Sequence, residues 1–366
     1  MTTKDKYTEV PDPYAWEVPS VGDARFTWEY DEPRARLLSL YQKGKDKQWD
    51  AQSRIDWSLD VDPTNPVGVP DQFHPLFGSP IWEAADEKRR AEFRHHNAAW
   101  NFSQFLHGEQ GAMVCAAKIV EVVPDMDAKF YAATQTMDEA RHVEAFSRFL
   151  QEKVGLVYPI NPNLTSLLQD TLNDSRWDMP YLGMQVLIEG LALAAFGVQR
   201  DLAPEGSLAK QLLAYVMQDE ARHVAFGRIS LKDYYANLTD AERDEREEFV
   251  VAACYLMRDR FRGEEVFETP RPARSGMRGV RGQLAADDPV PLPFVQSHRA
   301  DRQGHRAVGP KVQQAFVDMG VHEMADSNID ALMKADEDQA ESLDKAHAEM
   351  AARALEVDQA IAAGAN

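Results

Sequence analysis

Two apolar stretches, FLHGEQGAMVCAA and MQVLIEGLALAAFG, each enclose a single acidic side chain, Glu109 and Glu189. A lone carboxylate among so many apolar neighbours is costly to bury unless something positive meets it. Apolar positions at helical spacing continue to either side. They predict helices over about 83–122, 125–153, 164–173, 180–202, 207–237 and 240–262. The breaks fall at Pro124, at Gly155, between Asp174 and Pro180, and at Pro204-Glu205-Gly206, with Thr239 or Asp240 capping the last helix.

The flanks read differently. Residues 1–82 are rich in Pro, Asp and aromatic residues, with one helix expected over 33–49 carrying Leu37, Leu38, Leu40, Tyr41 and Trp49. They are expected to form an arm lying over the bundle or a second subunit, which buries Trp16, Phe26, Trp28, Trp57, Phe73 and Phe77. Residues 263–310 read as a Pro-rich linker made basic by Arg271, Arg274, Arg278 and Arg281, and 311–366 as an Ala-rich, acidic helical extension. The fold class is all-α, with the bundle at 83–262.

Within the helices the pentapeptide DEARH occurs twice, at 138–142 and 219–223. In each copy the Glu and the His are three apart, about 60° around a helix and one turn along it, so both side chains reach one point. An imidazole and a carboxylate converging from one helix suit a redox-active first-row metal. Two such helices supply too few donors for two ions, and Glu109 and Glu189 are the candidates to complete them. Glu109 lies 15 residues before Pro124, and Glu139 lies 15 after it, which places both about 22 Å from the turn on antiparallel neighbours. The second half behaves likewise about Pro204, so the chain contains one helical hairpin repeated at an offset of about 80 residues.

This pattern resembles the ferritin-like diiron-carboxylate oxygenases, and its DEARH form is most similar to the hydroxylase subunits of bacterial multicomponent monooxygenases. The resemblance implies a ferritin-like four-helix bundle over residues 84–262, with Glu109, Glu139, His142, Glu189, Glu220 and His223 binding two iron ions, or a mixed iron–manganese pair, that use O2. Three departures weigh on the reaction. Phe146 stands where the radical-generating ribonucleotide reductase subunit has Tyr, and Leu193 where the multicomponent hydroxylases usually have Thr. Val216 stands where the arylamine N-oxygenases add a third His. On that last ground hydroxylation of an apolar or aromatic molecule is the expectation, with N-oxygenation of an amine or ferritin-like iron handling as alternatives.

Around the ligands, Asp138 and Asp219 are placed to accept the free imidazole N–H of the ligand His on the opposing helix, with Arg141 and Arg222 balancing their charge. Phe105, Met113, Phe146, Leu193 and Phe196 follow at helical spacings and are expected to wall an apolar substrate pocket. His107 is about 160° from Glu109 around its helix and points elsewhere. Arg94, His95 and His96 are expected to form a solvated or partner-facing patch.

Composition adds exclusions. A formal net charge of −20 argues against nucleic acid and anionic membrane surfaces as partners. Two cysteines, Cys115 and Cys254, in no ligand spacing, fit a reduced cytoplasm. No uninterrupted apolar run approaching 18 residues is evident, so no membrane span is expected. The chain shows no flavin, nucleotide or iron–sulfur motif, and its electrons are expected from an external reductase or ferredoxin. A homodimer is the expected assembly.

Overall fold

The computed structural model describes residues 17–30, 34–263 and 266. Among these the chain is helical without strands: α1 Ala35–Asp46, α2 Ala51–Arg54, α3 Pro80–Ala84, α4 Glu87–Val122, α5 Met126–Arg148, α6 Pro162–Leu172, α7 Glu189–Leu202, α8 Leu208–Ala236 and α9 Asp240–Arg260. Trp16, the linker 263–310 beyond its first residues and the extension 311–366 lie outside the described residues.

α4 and α5 form one antiparallel hairpin, α7 and α8 the other, and α5 packs on α8 to join them. This is the expected bundle. Side-chain caps start the helices where polar residues precede apolar ones: Asp86 accepts from Arg89 N, Asp125 from Asp127 N and Ala128 N, and Ser207 from Lys210 N, while Thr239 and Glu242 make a capping box. Asp86 also corrects an expected boundary. The first bundle helix begins at Glu87 and not at about residue 83, because Pro80–Ala84 forms a separate short helix before that cap.

α8 is buried on every side from Gln211 to Gly227 and is the central rod of the molecule. α1 lies across α5 and α8, and α6 and α9 cover the other flank. The chain enters α7 through a π-helical stretch, Tyr181–Ile188, whose wider turn ends at Glu189. Such stretches are rare and often stand at functional sites. Where it crosses α8 the backbones come close: a Cβ on Gly227 would lie 2.7 Å from Gln185 Cβ. Together, the π-helical stretch and α7 form one helix, Tyr181–Leu202, that meets the length and apolarity of a membrane span, contrary to the reading of the sequence. It serves as a core helix and carries Glu189 inward.

The arm behaves only partly as expected. Trp57 is buried, but Phe26 and Trp28 are 91% and 89% exposed, and Phe73 and Phe77 are about half exposed. Backbone, not aromatic rings, fastens the outer segment: Val21 N donates to Leu172 O at 3.2 Å, Arg25 N to Glu121 O at 2.8 Å, and buried Lys118 donates to the carbonyls of Val21 and Leu172. The Arg94–His96 patch is only partly solvated. Arg94 is buried against Asp71 of the arm and Glu87, and His96 is buried with Nδ1 2.6 Å from Tyr158 Oη, while His95 is half-buried with Nδ1 2.9 Å from Pro63 O of the arm.

Candidate metal centre

The six expected donors meet at one depth in the bundle, and all are at most 5% exposed. Glu109, Glu139, His142 and Glu220 offer donor atoms within 4.8 Å of one another, as do Glu139, Glu189 and His223. Glu139 is common to both groups and Glu220 lies 3.6 Å from His223, so the two groups adjoin. His142 Nδ1 is 3.2 Å from Glu109, 3.3 Å from Glu139 and 3.2 Å from Glu220; His223 Nδ1 is 3.0 Å from Glu139. In both rings Nδ1 faces the carboxylates.

The opposite ring nitrogens meet the expected aspartates, each from the other DEARH copy. His142 Nε2 lies 3.1 Å from Asp219, and His223 Nε2 lies 3.4 Å from Asp138. Arg141 joins the two aspartates, donating to Asp138 at 2.6 Å and to Asp219 at 2.8 Å, while Arg222 is wholly buried and donates to Asp219 and to Gln218 O. Each imidazole therefore donates Nε2–H outward and turns Nδ1 inward, the orientation a metal-bound histidine needs.

Two further participants come from the residues after α1, and nothing in the sequence pointed to them beyond apolar packing for Trp49. Trp49 Nε1 donates to Asp219 at 2.7 Å, its ring packing on those of His142 and Tyr215. Gln48 donates to Asp138 and accepts from Arg141, at 2.7 and 2.6 Å. No spacing links positions 48 and 49 to the repeat; only the placement of α1 across α5 and α8 brings them there.

Charge in the cluster is divided unevenly. Burial, and then the neighbouring carboxylates, push Glu109 and Glu189 well above the usual carboxylate range. Burial also works against the charged form of Glu139, yet the imidazoles of His223 and His142 outweigh it and hold its pKa low. Burial opposes protonation of both histidines as well. Glu109 and Asp219 overcome it at His142, and Glu139 and Glu220 at His223, so both pKa values rise well above 6.5. The cluster as it stands stores protons where positive charge is wanted.

The donors also fit a pair of cations by a separate test. Glu139 Oε2, Glu189 Oε2, both oxygens of Glu220 and His223 Nδ1 are buried without a hydrogen-bond partner. Unpaired buried groups of this kind each cost on the order of 1–3 kcal/mol, more when charged, unless something binds them. Four carboxylates and two imidazoles suit first-row metals such as iron and manganese.

Beside the cluster lies a small cavity of about 20 Å³, lined by Phe105, Phe196, Ala112, Ala192, Met184 and Ile188 with Glu109, Glu189 and Glu220. Of the five expected pocket residues, Phe105 and Phe196 line it. Phe146 packs behind them, with ring centroids at 5.9 and 5.7 Å. Leu193 is buried but does not line the cavity, and Met113, only half-buried, does not either: each lies one turn beyond its Glu, and Ala112 and Ala192, three residues after Glu109 and Glu189, take the positions on the cavity. Arg260, from the end of α9, was not foreseen. It lines the same cavity, is 7% exposed, donates to Gln104 O at 3.0 Å and reaches over Gly108 beside Glu109. His107 turns away, its Nε2 2.8 Å from Tyr158 O.

Comparison with known proteins bears on the chemistry. Residues 31–286 match the family model described as P-aminobenzoate N-oxygenase AurF. No curated protein sequence matches. Among solved structures, a valine-to-isoleucine mutant of an R2-like ligand-binding oxidase with an anaerobically reconstituted Mn/Fe cofactor is 16% identical over 71% of this chain and 88% of its own, with a TM-score of 0.41. An R2-like ligand-binding oxidase with an aerobically reconstituted metal cofactor after photoconversion is 16% identical over 87% and 94%, with a TM-score of 0.39.

Proposed function

The chain belongs to the P-aminobenzoate N-oxygenase family, and from that premise we propose that it oxygenates the nitrogen of an aromatic amine bearing an anionic group. Membership makes it an oxidoreductase with a dimetal cofactor and O2 as co-substrate. It also supports the alternative weighed from the sequence, N-oxygenation, better than the main expectation of hydroxylation of an apolar molecule. The missing third histidine at Val216 was a poor guide, since one absent ligand says less than a match over residues 31–286.

The reading gives the six clustered side chains the role of metal ligands, with Asp138 and Asp219 fixing the two imidazoles and Arg141 and Arg222 holding the aspartates. When bound, the metal pair supplies the two-electron reduction of O2 with electrons from outside the chain. The balance is R–NH2 + O2 + 2 e⁻ + 2 H⁺ → R–NHOH + H2O. A reductase or ferredoxin is the proposed donor, and the proposed setting is a homodimer in the cytoplasm.

The chain's own part is to seat the amine. The observation that carries this reading is the cavity itself: carboxylates at the inner end, Phe105 and Phe196 as aromatic walls, and the Arg260 guanidinium at the edge. Phe105 and Phe196 pack edge to face at 4.7 Å; an aromatic ring that displaces one of them and stacks on the other turns its amine toward Glu109, Glu189 and Glu220, while its anionic end meets Arg260. Arginine is suited to that task by its planar fork of donors.

The test supplies the iron-loaded, reduced protein with O2 and either p-aminobenzoate or its uncharged amide, and follows products by mass. A hydroxylamine from p-aminobenzoate, with tenfold or greater loss in kcat/KM for the amide or for Arg260→Met, is expected. A ring-hydroxylated product instead would return the chemistry to carbon.

A further inference from the structure

The two donor groups are unequal. One has four members, Glu109, Glu139, His142 and Glu220, and the other only three, Glu139, Glu189 and His223. Beside the poorer group stands Gln135, one turn before Glu139 on α5 and 0% exposed. Its Nε2 lies 3.0 Å from Glu139 Oε1 and 2.9 Å from Glu189 Oε1, while its Oε1 is buried with no hydrogen-bond partner. The repeat makes this position singular. Four residues before Glu220, the place that corresponds to Gln135 is held by buried Val216, which has no donor atom to offer.

Two features give the amide a task. An unpaired buried carbonyl is costly to keep unless something occupies it part of the time. The distances add to this. Donors held about 2.0–2.2 Å from one ion at right angles stand about 3 Å apart. The tip of Gln135 keeps that separation from a carboxylate oxygen of both Glu139 and Glu189. Without a cation the amide turns its N–H toward the carboxylates. With one between them, a half-turn about the soft terminal torsion brings the oxygen to the same place.

We propose that Gln135 is a seventh protein ligand, giving its side-chain oxygen to the ion held by Glu139, Glu189 and His223. This rests on the dimetal reading. A neutral oxygen donor raises that subsite to four protein ligands without adding charge, and a carbonyl among carboxylates favours manganese there more than an imidazole would.

The test uses the full-length protein, stripped of metal, as wild type, Gln135→Leu and Gln135→Glu. Each is titrated anaerobically with Mn(II), the bound ions are counted by elemental analysis, and coupling between paired Mn(II) ions is read by electron paramagnetic resonance. Wild type is expected to bind two coupled ions. Gln135→Leu should bind one, with the second weakened tenfold or more and the coupling lost, and Gln135→Glu should recover both because an oxygen returns to the same place. Two ions of wild-type affinity in Gln135→Leu overturn the proposal. So does equal weakening in Gln135→Glu, since the N–H and not the oxygen would then be what matters. Should Gln135→Leu fail to fold, judged by thermal unfolding of the metal-free protein, Gln135→Glu against wild type decides alone. A wild type that binds no metal overturns the dimetal reading and this proposal together, an outcome distinct from either variant result.

Discussion

The two DEARH segments are identical in sequence, yet they live in different surroundings. Asp219 is held by Arg222, Arg141, Trp49 and His142, and although burial opposes its charge, Arg222 and the hydrogen bond from His142 keep its pKa far below the usual range. Asp138 has Arg141 and Gln48, with His223 at a longer 3.4 Å. On the ligand side, Glu139 belongs to both donor groups, whereas Glu220 falls in one. A repeated sequence fixes which atoms share a helix face. The strength of each half-site comes from whatever the rest of the chain packs against it.

The contrast can be broken in order of expected effect. Glu139→Ala should abolish binding of both ions, because that carboxylate serves both groups, whereas Glu189→Ala should spare the four-membered group; elemental analysis of purified proteins separates the two. One ion retained by Glu139→Ala would sink the idea of a shared ligand. Next comes Asp219→Asn, expected to cost 10–100-fold in metal affinity, the usual loss when a partner orienting a ligand histidine is removed. Asp138→Asn should cost less, since fewer groups hold that carboxylate. Equal losses in a chelator competition would show that the two surroundings do not matter.

Protons give a third handle. Glu109, Glu189, His142 and His223 all have raised pKa values, so protons compete with a cation for these side chains. Metal affinity is therefore expected to rise with pH through and above neutrality, with protons released on binding, and calorimetry in buffers of different ionisation enthalpy would count them. A smaller effect is expected at Trp49→Phe. It keeps the ring but removes the donor to Asp219, about 1.5–3 kcal/mol for a hydrogen bond to a charged group, read as a lower denaturation midpoint. Smallest of all is His107→Ala, which should keep both ions, since that side chain faces Tyr158.

Much of this centre was legible because its signals are local. Glu-x-x-His spacing, lone acids in apolar runs and prolines midway between paired carboxylates all follow from helix geometry, and the cross-helix aspartates followed from the same register. The pocket was read less well. Phe105 and Phe196 line it, but Met113 and Leu193 do not, because spacing along one helix says nothing about which neighbour covers a given face. Counting aromatics in the arm likewise implied burial that Phe26 and Trp28 do not have. Hydrophobicity states what burial would gain, not whether a surface is there to receive it.

The amino-acid sequence by itself determined the repeated hairpin, the six donors and their level meeting, since 3.6 residues per turn and a turn at a known proline leave little freedom. Only the tertiary structure decided that Gln48 and Trp49 fasten the aspartates, that Arg260 edges the cavity and that Gln135 stands beside the poorer donor group. Those contacts join residues tens to more than a hundred and fifty positions apart, or depend on which way a buried amide turns, and no local periodicity records either.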